Sequence, residues 1–158
     1  MTKTKADAAQ RQIEFFPIFC ESIRSEVGGQ FTYVGVFQSN VDVEQFPHTF
    51  SQFAVALAVV GPASVLRDQV ATITVRAGTK LKAKIDVPPI RSSAPSDDDL
   101  IHMNLHVIGD TFRVDEPSSI TATLSFKDWE ACSKNVLNVR QKPSRKPAAP
   151  KDSKAQPE

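Results

Sequence analysis

The stretch Val70-Ala71-Thr72-Ile73-Thr74-Val75-Arg76 decides the fold, because apolar and polar residues alternate along it. A period of two is typical of a strand that buries one face. After Ala77-Gly78-Thr79 the run from Leu81 to Val87 alternates again, and a short gap that contains glycine indicates a hairpin. The sequence therefore predicts two antiparallel strands that turn one face toward a core.

The same period continues through the second half of the chain. The runs Ile101–Val107 and Ile120–Phe126 alternate, and Asn135–Arg140 supplies one more strand. We expect the apolar positions of these strands to form the core: Ile73, Val75, Leu81, Ile85, Met103, Leu105, Leu124 and Phe126. No long amphipathic helix is predicted, and short helical turns are expected only at about Glu21–Val27, Ala63–Gln69 and Asp128–Lys134.

The N-terminal third is apolar on both faces of its predicted strands, which are Phe15–Cys20, Phe31–Phe37 and Phe53–Val60. Such runs are typical of strands buried on both sides, or of strands with one face at a protein interface. Together the pattern predicts seven or eight short strands separated by Gly- and Pro-containing turns. The expected fold class is an all-β antiparallel sandwich.

Composition excludes several classes of protein. The 158 residues contain 19 Lys and Arg against 18 Asp and Glu, a net charge of +1 that argues against a generally basic nucleic-acid binder. No apolar run reaches the ~18–20 residues of a membrane span, and no signal-peptide core follows the first basic residues. We expect a cytoplasmic protein, in the host cytoplasm or the virion if it is phage-encoded, with Cys20 and Cys132 reduced.

The two ends differ from the middle of the chain. Residues 1–12 carry three basic residues against one acidic residue, and residues 141–158 carry five against two, together with four of the 11 prolines. Neither end has the apolar side chains needed to offset its ordering entropy. The sequence predicts a β-sandwich domain at 13–140 between a disordered N-terminal segment and a disordered basic Pro/Lys/Ala-rich tail.

A resemblance covers roughly Phe15 to Arg140. The stretch from Phe19 to Phe37, with its Gly28-Gly29 turn and Val34-Gly35-Val36-Phe37 strand, and the later run from Phe112 to Pro117 carry it. These segments resemble a family of uncharacterised bacterial and phage proteins of about this size. The chain departs from the family pattern at Ser118, where a turn glycine is common. The resemblance implies an Ig-like or C2-like β-sandwich, and it brings no established catalytic residue.

The residues that could carry chemistry form no recognisable site. His48, His102 and His106 are the only histidines, and the last two are about 13 Å apart on one strand face, too far to share a metal ion. Asp97-Asp98-Asp99 offers carboxylates suited to Ca²⁺, but no matching second loop occurs. No nucleophile elbow and no phosphate-binding loop is present. We expect no catalytic residue, no cofactor and no bound metal.

Two surfaces of the predicted sheets could have a function. Arg76, Lys80, Lys82 and Lys84 should share the outward face of the hairpin, where they either follow phosphates or guard the sheet edge against aggregation. In Phe53–Val60 the bulky residues occupy one face, so the opposite row of small residues needs a cover. We predict a protein interface that comprises Phe15, Phe19, Tyr33, Ala54, Ala56 and Ala58; the alternative is that a loop or the N-terminal segment covers this face.

The functional hypothesis from the sequence is a non-enzymatic β-sandwich that acts as a protein-interaction or assembly module of a phage or prophage. A protein partner or a homo-oligomer is expected, without nucleic acid or membrane. The alternatives are a nucleic-acid-associated accessory protein that uses the basic hairpin and the tails, and a Ca²⁺-dependent C2-like binding module.

Overall fold

The computed structural model describes residues 13–89, 96–97, 99–127 and 129–143. The predictions of disorder for 1–12 and for nearly all of 141–158 lie outside this range. Within it the chain forms one four-residue helix, α1 (Ala63–Leu66), and twelve strands. The strands are β1 (Glu14–Ser25), β2 (Phe31–Val36), β3 (Asn40–Val43), β4 (His48–Phe50), β5 (Phe53–Pro62), β6 (Ala71–Ala77), β7 (Lys80–Val87), β8 (Leu100–Gly109), β9 (Phe112–Val114), β10 (Ser118–Phe126), β11 (Trp129–Cys132) and β12 (Leu137–Gln141).

The strands form two large sheets and one small one. The first sheet has the order β2-β1-β5-β8, and the second has the order β3-β12-β10-β6-β7 with β11 also paired to β10. Strands β4 and β9 make a separate two-stranded ribbon. All pairs are antiparallel except β12 with β3. The predicted all-β antiparallel class is confirmed, with more strands than expected because several have only three or four residues.

One apolar core joins the two large sheets. Side chains of β5, such as Leu57, belong to the same buried cluster as Ile73 and Leu124 of the second sheet. Four of the predicted core residues are buried: Ile73, Val75, Leu124 and Phe126. Met103 and Leu105 pack against this core from the edge strand β8 and are only partly buried. The alternation in the sequence therefore locates the core correctly in β6, β8 and β10.

Strand β7 departs from the predicted pattern. Val75 lies opposite Ala83, whereas its neighbour Arg76 lies opposite Leu81, so one extra residue is inserted in β7 at this point. Because a bulge reverses which residues face inward, Leu81 is turned outward and remains 53% exposed. Ile85 keeps its place opposite Ile73 but is 38% exposed on the sheet edge. The prediction that these two residues belong to the core is wrong.

Only one of the three predicted helical turns is helical. The helix α1 occupies Ala63–Leu66, at the start of the predicted segment. In place of the turn expected at Glu21–Val27, strand β1 continues to Ser25, because this segment pairs with β2. In place of the turn expected at Asp128–Lys134, strand β11 pairs with β10.

Candidate interaction surface

Ala54, Ala56 and Ala58 of β5, here called the alanine row, lie on the side of the first sheet that is turned away from the core. We call this side the outer face. The register places Ile18 of β1 and His106 of β8 on either side of Ala56. The same register pairs Phe15 with Val59 and Phe19 with Val55, both of which are core residues. The predicted surface is therefore corrected: Phe19 is 5% exposed in the core, and Phe15 packs against the core on the same side.

The hairpin formed by β1 and β2 covers part of the alanine row. The ring of Phe31 lies 4.3 Å from that of His106, and the ring of Tyr33 lies 6.1 Å from it, measured between centroids. Since His106 is the cross-strand partner of Ala56, these rings lie over the outer face. Ala54 and Ala56 are accordingly 0% and 1% exposed. The predicted interface loses these two residues, because neither side chain is accessible to a partner.

A bend in the hairpin makes this cover possible. Gly35 has a φ of +62°, a backbone conformation that L side chains rarely adopt. A Cβ atom built at this position would lie 2.5 Å from Cδ of Glu21, which lies between the β1 residues paired with Val34 and Val36. Next to Glu21, Phe19 faces the core and Cys20 faces the outer side of the sheet, and both are buried. The hairpin therefore changes direction at this point and turns its aromatic side chains toward the sheet.

Two titratable side chains lie under the hairpin. Burial lowers the pKa of His106, and its Nε2 atom is buried without a hydrogen-bond partner in the described residues. Cys20 is fully buried on the same face; its thiol donates to the Ala54 carbonyl at 3.8 Å, and burial raises its pKa. Neutral imidazole and protonated thiol are thus the forms that this site stabilises. Cys20 and the exposed Cys132 are both free.

Near the start of β1 and at the end of β2, apolar side chains of the outer face remain accessible. Phe16 is 49% exposed and Val36 is 54% exposed. Ile18 follows Phe16 two residues later on the same face of β1, and Val36 is paired to Cys20, the next residue on that face. We call Phe16, Ile18 and Val36 the β1 edge surface. The alternation of apolar and polar residues does not identify Phe16 as an exposed residue, because Phe15 beside it is equally apolar. Only the register with β5 shows that the two side chains lie on opposite faces of the sheet.

Two grooves extend this surface toward the second sheet. One, of about 400 Å³, lies between Ile18 and Val36 on one side and Asn135 and Val136 on the other. The other, of about 390 Å³, lies between Phe16 and the segment around Cys132. Lys134 lines both grooves. They form because β2 pairs with β1 only from Cys20 onward, and among the described residues no strand pairs with the preceding part of β1 on that side.

The predicted basic face is divided in the structure. Nζ of Lys80 lies 3.0 Å and Nζ of Lys82 lies 3.9 Å from Oδ2 of Asp115, whose other oxygen accepts from Arg113 at 2.8 Å. These cations, Lys80 first, hold the pKa of Asp115 below its ordinary value. Arg76 instead donates to the Thr79 carbonyl, and Lys84 lies opposite Thr74. The β7 bulge thus prevents the four basic residues from forming one row.

The candidate metal ligands are also separated. Asp97 forms an ion pair with Arg67 at 2.9 Å, and Asp99 accepts a hydrogen bond from the Ser96 amide; Asp98 lies outside the described residues. His102 and His106 share the outer face, where His102 is exposed. In the described part of the chain no three His, Cys, Asp or Glu side chains are grouped so that they could hold a metal ion.

Comparisons with protein-family models, with curated proteins and with solved structures find no match to this chain. The resemblance to bacterial and phage proteins therefore stays a prediction. Among the described residues, no helix has both the length and the apolar character required to cross a membrane.

Proposed function

We propose that this chain is a non-enzymatic protein-interaction module whose contact site is the β1 edge surface with its two grooves. The observation that carries the proposal is the exposure of about half of Phe16 and Val36 beside these grooves. Clustered apolar side chains of this kind are typical of binding sites, and a partly exposed aromatic ring is a common energetic centre of an interface.

The chemistry of the grooves suggests what the partner presents. Apolar and polar side chains together line both grooves, and Asn135 and the exposed Lys134 lie in each of them. A protein segment that inserts apolar side chains and places a carboxylate near Lys134 would match both features. Pro17 in the adjoining part of β1 lacks an amide hydrogen, so side chains rather than an added strand should make most of the contact.

The two alternatives have less support from the geometry. A nucleic-acid site on the hairpin would use Lys80 and Lys82, but Asp115 already contacts both ammonium groups. A Ca²⁺ site in the 97–99 loop would need Asp97, which is paired with Arg67.

Site-specific photocrosslinking in cells that naturally make the protein tests the proposal. A photoreactive phenylalanine analogue at position 16 should give one discrete protein adduct, and Val36→Glu should abolish it. The matched control carries the analogue at exposed Lys84 on the second sheet, where we expect no such adduct. Because Val36 is half exposed, Val36→Glu should alter the free energy of unfolding by about 0.5 kcal/mol or less. Identical adducts at both positions, or none at position 16, would contradict the proposal.

A further inference from the structure

Strand β8 forms an edge of the first sheet without the usual protection. It is ten residues long, from Leu100 to Gly109, and among the described residues no strand pairs with the edge that faces away from β5. Its sequence contains no proline and no charged Asp, Glu, Lys or Arg, and its register with β5 has no shift. By contrast, the edge strand β7 carries three lysines and a bulge. Long uncharged edges readily accept another strand.

The register identifies the backbone groups at this free edge. The Ala63 amide donates to the Asp99 carbonyl at 2.8 Å, and these two residues continue the pairing of Pro62 with Leu100. Hydrogen-bonded and non-hydrogen-bonded pairs alternate in an antiparallel ladder. The odd-numbered residues of β8 therefore bond to β5. The even-numbered residues from Leu100 to Ile108, including Asn104, direct their N–H and C=O groups outward.

The sequence of β8 is also nearly palindromic in the type of its side chains. Residues 100–108 read Leu-Ile-His-Met-Asn-Leu-His-Val-Ile, and the reversed sequence presents the same kind of side chain at every position. Asn104 is the centre, with a histidine two positions away on each side. At the ends are Leu100 and Ile108, which are 60% and 62% exposed.

We infer that two copies of this chain pair antiparallel along β8, with the two-fold axis at Asn104. Leu100 then lies opposite Ile108 of the second copy, and His102 lies opposite His106 of the second copy. Five hydrogen-bonded pairs of even-numbered residues, with two bonds in each pair, form about ten backbone hydrogen bonds between the copies. The two four-stranded sheets become one sheet of eight strands, a self-complementary contact as two-fold dimers require.

Other registers between the two β8 strands give less favourable pairs of side chains. A shift of two residues in this direction places Leu100 opposite His106 of the second copy, and then neither Leu100 nor Ile108 has an apolar partner. Centring on Asn104 instead covers both exposed apolar side chains in each copy. A shift of one residue would place even residues opposite odd residues, so that the two cores would lie on opposite sides of the joined sheet. The dimer is independent of the proposed function, because none of Phe16, Ile18 and Val36 belongs to β8.

Disulfide formation tests the register. In a Cys132→Ser background, Asn104→Cys should give a covalent dimer on mild oxidation. Position 104 forms a hydrogen-bonded pair with position 104 of the second copy, and the Cα atoms of such a pair are about 5.5 Å apart, within disulfide reach. The matched control is His102→Cys on the same face. Its counterpart in the second copy lies four positions along the strand, about 13 Å away, so no disulfide should form. Equal crosslinking of both variants, or none of Asn104→Cys, would overturn the inference.

Charge substitutions at the two exposed ends test the antiparallel direction without depending on disulfide geometry. L100K/I108K places like charges opposite each other and should weaken the dimer by about tenfold or more. L100K/I108E has the same two sites substituted but places opposite charges together, so it should remain dimeric. Sedimentation velocity of the full chain, with circular dichroism to verify folding, gives the masses. A monomeric parent protein, or equal dimerisation of the two variants, would refute the proposed dimer.

Discussion

Ala56→Lys is the perturbation that most directly tests the hairpin cover. Ala56 is 1% exposed, and the rings of Phe31 and Tyr33 lie against its neighbour His106. A lysine at position 56 can reach water only if the hairpin is displaced. Leaving the hairpin in place would instead bury an unpaired ammonium group, which costs more than any single apolar contact returns. We therefore expect the hairpin to detach while the rest of the sandwich remains folded.

The cost of detachment can be estimated from the rings. Full burial of a phenylalanine contributes about 1.5–3 kcal/mol, and Phe31 is already 39% exposed while Tyr33 is half-buried. Losing both partial contacts should lower the free energy of unfolding by about 2–4 kcal/mol. A typical domain has about 5–15 kcal/mol in total, so the variant should still fold.

Urea denaturation measures this loss, and the thiol of Cys20 reports on the hairpin. Cys20 is fully buried on the outer face, so in a Cys132→Ser background a thiol reagent should label it much faster after Ala56→Lys. The matched control is Ala58→Lys, where the half-buried position lets the lysine extend to water, and we expect less than about 1 kcal/mol. Equal losses for the two variants, with no change in labelling, would refute the hairpin cover.

Leu124→Ala should lower the free energy of unfolding by about 2–5 kcal/mol through the cavity it leaves, whereas Leu81→Ala on the outward side of the bulge should change it by about 0.5 kcal/mol or less; equal urea midpoints would contradict this. Because its cations lower the pKa of Asp115, the carboxylate contributes stability above its unfolded pKa that is lost as the pH falls through the folded pKa. Asp115→Asn should flatten the dependence of Tm on pH in that acid range. Burial lowers the pKa of His106, so stability should fall as the pH drops below the ordinary value of 6.5 until the folded pKa is reached. The substitution His106→Phe should remove this dependence of stability on pH, measured as Tm against pH. An unchanged dependence would show that the imidazole of His106 is hydrated and not buried.

Alternation in the sequence predicts those strands that bury one face. In β6 and β10, threonine and serine alternate with apolar residues, so Ile73 and Leu124 could be assigned to the core before the structure was known. The bulge in β7 could not be predicted, because Lys80-Leu81-Lys82 alternates as regularly as the rest of the strand. The inserted residue is defined only by pairing with β6.

The N-terminal sheet shows a different limit. Phe15 and Phe16 are chemically identical, so no period distinguishes the residue that enters the core from the one that stays exposed. The hairpin covers the alanines because it bends at Gly35, which has a positive φ. A single glycine in the sequence does not predict such a bend. The sequence predicted that the alanine row needs a cover, but it could not distinguish another protein from this hairpin. That choice depends on contacts between segments far apart in the chain.

The parallel pairing of β3 with β12 has a consequence for the way the chain folds. Asp42 accepts from Arg140 across 98 positions of sequence. If nothing else had formed, closing a loop of that length would cost about 4 kcal/mol in chain entropy. Hairpins such as β6–β7, whose partners are adjacent, can form early and shorten the effective loop. We therefore expect the β3–β12 ladder to form late, after β12 has left the ribosome, and folding to take milliseconds to seconds, as in other domains dominated by distant pairings.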